Sequence, residues 1–248
     1  MTALPTKSEE AWRYSDLDSL ARVWPVPAAE IIEVPAGESA TRVIVQRAAG
    51  DAVVVRDYRI MLRRGARAAL FVLNAGGKLG RIAIDVTLAE GAHFELGGAI
   101  VGGSEQTLEI VTSVSHTEPH ATSNQTVRSV LAGHATGNFL GKVAVARDAQ
   151  KTDAVQSVKA MLLARTATAN AKPELEIFAD DVKCAHGATV GELDKAALFF
   201  LASRGLPPAQ AKALMLQAFV AGAFVALDDA DERAAIEAQA LEALEGLL

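Results

Sequence analysis

The chain has 248 residues, half of them hydrophobic and 22% charged, with a formal net charge of −6 at neutral pH. That length can bury one large core or two small ones, and that balance excludes a disordered chain. The acidic surplus argues against a protein that tracks a nucleic-acid backbone, which needs a basic stripe.

A single cysteine, Cys184, cannot form an intramolecular disulfide and fits a reducing compartment. The first ten residues lack the apolar segment of a secretory signal. The longest near-apolar run, 214–227, is broken by Gln217 and is shorter than the roughly 20 residues that span a bilayer. The expectation is a cytoplasmic protein with neither membrane nor nucleic acid as partner.

Taken in order, residues 1–40 read as an N-terminal arm with one or two short helical turns. Trp12, Tyr14 and Trp24 are expected to pin this arm onto the body, with a partner contact as the alternative. Pro25 and Pro27 end any helix.

From residue 41 to 190 the pattern is β. Short runs such as Val43-Ile-Val, Ala52-Val-Val-Val and Ile82-Ala-Ile-Asp-Val-Thr-Leu follow one another, most of them separated by Gly or Asn/Asp clusters. No long amphipathic helix intervenes, which excludes a doubly wound sheet. A sandwich or barrel is the default, while the small-residue, glycine-punctuated composition also suits a stacked β-solenoid.

Residues 191–248 turn helical. Leu193, Ala197, Phe200 and Leu201 keep helical spacing up to Gly205, and Pro207-Pro208 opens a second helix. That second helix is apolar almost all round and must be buried, in its own fold or in a partner. A third begins near Asp229 or Asp231.

The chemistry-bearing stretch is Pro173–Gly191, at the junction of the two textures. Residues two apart on a strand point the same way, so Cys184 and His186 would present a thiolate and an imidazole together. Both are good ligands for iron or zinc, yet two ligands make no closed site. The remaining ligands would have to come from elsewhere, most simply another chain; otherwise the pair is a buried cysteine and a turn histidine. A Cys–His nucleophile lacks an orienting third group. Asp180 and Asp181 could serve a solenoid enzyme acting on carbohydrate, although few aromatics are present to stack sugars. His116 and His120 have ligand-like spacing, but Pro119 makes the segment a turn.

Pro173, Leu175-Glu-Ile, Asp180-Asp-Val-Lys-Cys, His186-Gly-Ala-Thr, Leu198-Phe-Phe-Leu and Ser203-Arg-Gly resemble the SufB/SufD family of iron–sulfur cluster assembly scaffolds. Weaker blocks in matching order include Glu10-Ala-Trp-Arg-Tyr-Ser, His116-Thr-Glu-Pro-His and Phe139-Leu-Gly-Lys-Val. Within that family the chain is more similar to SufD. The resemblance implies a mainly β fold with terminal helices: a right-handed parallel β-helix followed by a C-terminal helical segment, with fewer coils in this shorter chain.

It also implies a non-enzymatic scaffold that works with a SufC-type ABC ATPase and with a SufB-type scaffold or a second copy of itself. ATP would enter only through the ATPase. Cys184 and His186 would help hold a nascent, transient cluster shared with the partner chain. Phe200, Arg204, Leu214, Met215 and Phe219 would face the ATPase. The alternatives are a structural subunit that stabilises the complex without holding a cluster ligand, and the carbohydrate enzyme.

Overall fold

A computed structural model describes residues 3–248. The odd-numbered strands β1 (Glu30–Val34), β3 (Val53–Leu62), β5 (Leu79–Leu88), β7 (Thr107–His116), β9 (Thr136–Val145) and β11 (Thr168–Ile177) form one six-stranded sheet in that order. The even-numbered strands form the other: β2 (Ser39–Gln46), β4 (Arg67–Asn74), β6 (His93–Gly102), β8 (Thr122–Leu131), β10 (Asp153–Leu162) and β12 (Lys183–Gly191). Neighbours in each sheet are parallel. Each odd–even pair is therefore one coil of a parallel β-solenoid, and the sandwich and barrel are excluded.

Alternation explains the coil. Inward residues stack in columns from coil to coil, as in Ile60, Val86, Val114, Val143 and Leu175. Together with Phe94, Leu70, Ile82 and Phe139 they make a continuous lumenal core. The sheets break strict alternation where their outer faces are covered as well.

Two covers do this. The N-terminal arm, with a short 3₁₀ turn (Glu10–Trp12) and α1 (Leu17–Ala21), lies on the outer face of the odd sheet. The helices α3 (Pro208–Ala221) and α4 (Ala230–Glu245) lie on the even sheet, where Leu216, Val220, Phe224, Ile236 and Leu244 meet Phe71, Leu73, Val101 and Val130. Gly97 permits the close approach, since a Cβ there would sit 2.0 Å from the Ala223 carbonyl oxygen.

The arm is held by a buried polar ladder. Arg81, Glu109, Asn138 and Asn170 are register partners on the outer face of successive strands. Arg81 Nη1 donates to Glu109 Oε2 at 2.5 Å, and the same carboxylate oxygen accepts from Ser15 Oγ at 2.6 Å. Asn138 Nδ2 donates to Glu109 Oε1 and to the Tyr14 carbonyl oxygen. The Arg81 guanidinium stacks 3.8 Å from the Trp12 ring centroid, and Trp12 meets Trp24 edge-on. Trp12 thus pins the arm as the sequence suggests, although its chief partner is a charge.

Two elements differ from the sequence reading. Glu30–Val34, which falls in the arm, is the strand β1 of the first coil. Its two glutamates hide the alternation of Ile32 and Val34. The apolar helix closes at Ala221 and buries Ala211, Leu216 and Val220, while Leu214 is half-exposed. α2 (Lys195–Ser203) buries none of its residues.

Candidate functional site

The two ends of the solenoid differ. At the first coil the inward positions include Glu30 and Arg42, in register with Tyr58 and Leu70, and they pair across the mouth at 3.4 Å. At the last coil β12 is an edge strand, paired among the described residues only with β10. Cys184 lies opposite Ala154 and His186 opposite Gln156. Ala154 and Gln156 are buried in the lumen, so Cys184 and His186 occupy the next inward positions up, at an open mouth.

Cys184 is half-buried against the lumenal core, and His186 is exposed. Burial pushes the Cys184 thiol up from its ordinary value; a backbone hydrogen bond at Ala154 opposes this and the Asp153 carboxylate adds to it. A thiol held protonated is a poor nucleophile and binds metal only on losing its proton. Ala188 and Val190 continue the inward-facing side of β12, and Pro173 and Leu175 face inward from β11. Among the described residues no group of three or more His, Cys, Asp or Glu side chains could hold a metal.

The other sequence candidates scatter. His116 is buried at the end of β7 with Nε2 2.9 Å from Ser123 Oγ, whereas His120 is exposed in a turn with φ of 63°. Asp181 is exposed and tied to Lys151 across neighbouring turns, and Asp180 is exposed beside it. A cleft of about 520 Å³, lined in part by Arg47, Gln106 and Glu242, contains neither Cys184 nor His186.

The five residues assigned to an ATPase contact divide. Phe200 and Leu214 are 56% and 50% exposed, and Phe200 stacks under the Arg204 guanidinium at 5.1 Å. Met215 is half-buried. Phe219 is half-buried and packs against the helix–sheet core. Phe199, at 76% exposure, was missed by helical periodicity because it lies off the apolar stripe. Gln156 was missed as well; only the coil-to-coil register reveals its place beneath His186.

The fold is thus a parallel β-solenoid whose last coil ends in an open, strand-edged mouth carrying Cys184 and His186, flanked by the exposed side chains of Phe199 and Phe200. The chain belongs to the family described as SUF system FeS cluster assembly, SufBD core domain, whose model matches residues 26–219. It is 34% identical over 192 residues to an iron–sulfur cluster assembly SufBD family protein of Synechocystis, covering 76% of this chain and 42% of that one. It is 34% identical over 172 residues to the iron–sulfur cluster assembly protein SufD of Escherichia coli, covering 58% and 41%. A chloroplastic Arabidopsis thaliana protein, ABCI7, is 37% identical over 153 residues, covering 60% and 32%. The chain spans less than half the length of these relatives. No helix among the described residues is long and apolar enough to cross a membrane.

Proposed function

We propose that this chain is a non-catalytic, SufD-like scaffold subunit in iron–sulfur cluster assembly. Its C-terminal mouth is half of a site where a nascent cluster, as cargo, is held between this chain and a second one. One observation carries the reading: Cys184 and His186 stand two residues apart, on the same side of an edge strand whose outer edge is open, at the end of the solenoid. A thiol and an imidazole suit iron, and a partner's ligands would complete the count. The second chain is a SufB-type scaffold or another copy of this one, seated on the rim of β11 and β12.

A SufC-type ATPase would dock on the exposed side of α2 and α3, through Phe199, Phe200, Arg204 and Leu214, and would alone bind ATP. The cytoplasmic setting belongs to the same proposal, since a reducing compartment keeps Cys184 available. The test is a reconstituted complex with His186→Ala. Iron and sulfide content should fall while the subunits still co-elute. Unchanged content would make the chain a structural subunit only.

A further inference from the structure

The lumen changes character toward the mouth. In the third coil its walls are aliphatic and aromatic, as at Ile84 and Leu96. In the fourth coil the corresponding positions are Thr112 and Gln125, and Thr112 Oγ1 donates to Gln125 Oε1 at 2.7 Å. In the fifth they are Gly141 and Gln156, and in the sixth Pro173 and His186. Gln125, Gln156 and His186 therefore stack as one column that ends at the open mouth, with neighbouring strands about 4.8 Å apart.

Gln156 is 2% exposed, yet among the described residues neither its Oε1 nor its Nε2 has a hydrogen-bond partner, and Gln125 Nε2 has none either. A buried amide left without partners costs about 1–3 kcal/mol, so its retention calls for a use. A Cβ at Gly141 would come within 2.4 Å of the Phe139 ring and 2.7 Å of Gln156 Nε2, so the glycine leaves room for both side chains, and Pro173 above has no side-chain polar atom. In the two adjoining layers, the polar side chains at the column are Gln125 on one side and His186 on the other.

We propose that Gln156 is a positioning residue for His186: its Oε1 accepts the imidazole N–H and leaves the other ring nitrogen as a lone pair facing the mouth. This rests on the reading of His186 as a ligand. Ligating histidines commonly donate their second ring N–H to an oxygen acceptor, which fixes tautomer and orientation. The same oxygen has a second lone pair for Gln125 Nε2, so two contacts would satisfy Gln156 Oε1, Gln125 Nε2 and the imidazole N–H.

The experiment uses the full chain, Co²⁺ as the probe, and ¹⁵N-histidine spectra assigned with His186→Ala. Gln156→Met should shift the His186 tautomer ratio and weaken Co²⁺ binding about tenfold or more. Gln156→Glu, which keeps an oxygen acceptor, should retain both. Should Gln156→Met fail to fold, Gln156→Asn, which withdraws the amide by one methylene, should give the same losses. A folded Met or Asn variant with an unchanged tautomer ratio and unchanged Co²⁺ affinity overturns the assignment. The two readings fail separately. Full iron and sulfide content in His186→Ala removes the ligand role, whereas an insensitive tautomer ratio removes only the part given to Gln156.

Discussion

His116 is a buried base whose neutral form the lumen enforces. Burial lowers its pKa to about 4 from the usual 6.5, a backbone hydrogen bond at Ala121 opposing the shift only partly. The unfolded chain therefore binds a proton that the folded chain refuses between those two values. Stability from this residue is complete above about pH 6.5 and is lost as the pH falls toward 4. At about 1.4 kcal/mol per unit, the loss is on the order of 3 kcal/mol. Urea unfolding between pH 4 and 7 should display that slope, and His116→Gln should flatten it. Glu109 makes a different case, because it neutralises Arg81 in a site where both side chains are nearly sealed from solvent. Glu109→Gln should cost about 3 kcal/mol or more, since it strands a buried guanidinium whose Nε already lacks a partner. Thermal unfolding of the two proteins at pH 7 gives the comparison.

Among the elements, α2 and α3 carry two kinds of apolar residue that sequence pattern cannot separate. Phe219 is half-buried against the helix–sheet core, while Phe200 and Leu214 face solvent. Phe219→Asp should therefore lower stability by about 1–3 kcal/mol, through the packing it loses. Leu214→Asp should leave the melting temperature nearly unchanged and weaken the ATPase partner in co-purification. An unaffected partner would move that contact off α3. The same limit governs what the sequence made legible. The central strands announce themselves through alternation, and β5 contains the expected run Ile82-Ala-Ile-Asp-Val-Thr-Leu. β1 and β12 do not, because an edge strand has one neighbour and its inward residues need not be large or apolar: Glu30 and His186 occupy such positions. Cys184 and His186 are visible as a local pair, two residues apart. Gln156 and the Arg81–Glu109 ladder are not, since their partners lie one coil away, 28 residues apart for Arg81 and Glu109.

At the scale of the whole molecule, the asymmetry of the two mouths decides how the solenoid can associate. Any exposed sheet edge offers unpaired backbone groups to another chain, and proteins blunt the edges they do not use with charge. The first coil is blunted across its lumen by Glu30 and Arg42. The last coil offers Ala188 and Val190 in its inward column on β12, with Val190 47% exposed, and Leu175 and Ile177 on β11. A partner should thus seat on the C-terminal mouth, the end that carries Cys184 and His186. Val190→Lys tests this directly. The side chain is already at the surface of the single chain, so stability should change by no more than about 0.5 kcal/mol. Docked, the same lysine would bury an unpaired charge at the rim, which costs far more than the contact it replaces. Light scattering and co-elution with the partner scaffold should show association lost in Val190→Lys and retained in an Arg42→Ala control. Retention in both would move the interface away from the mouth and leave Cys184 and His186 without the second chain they require.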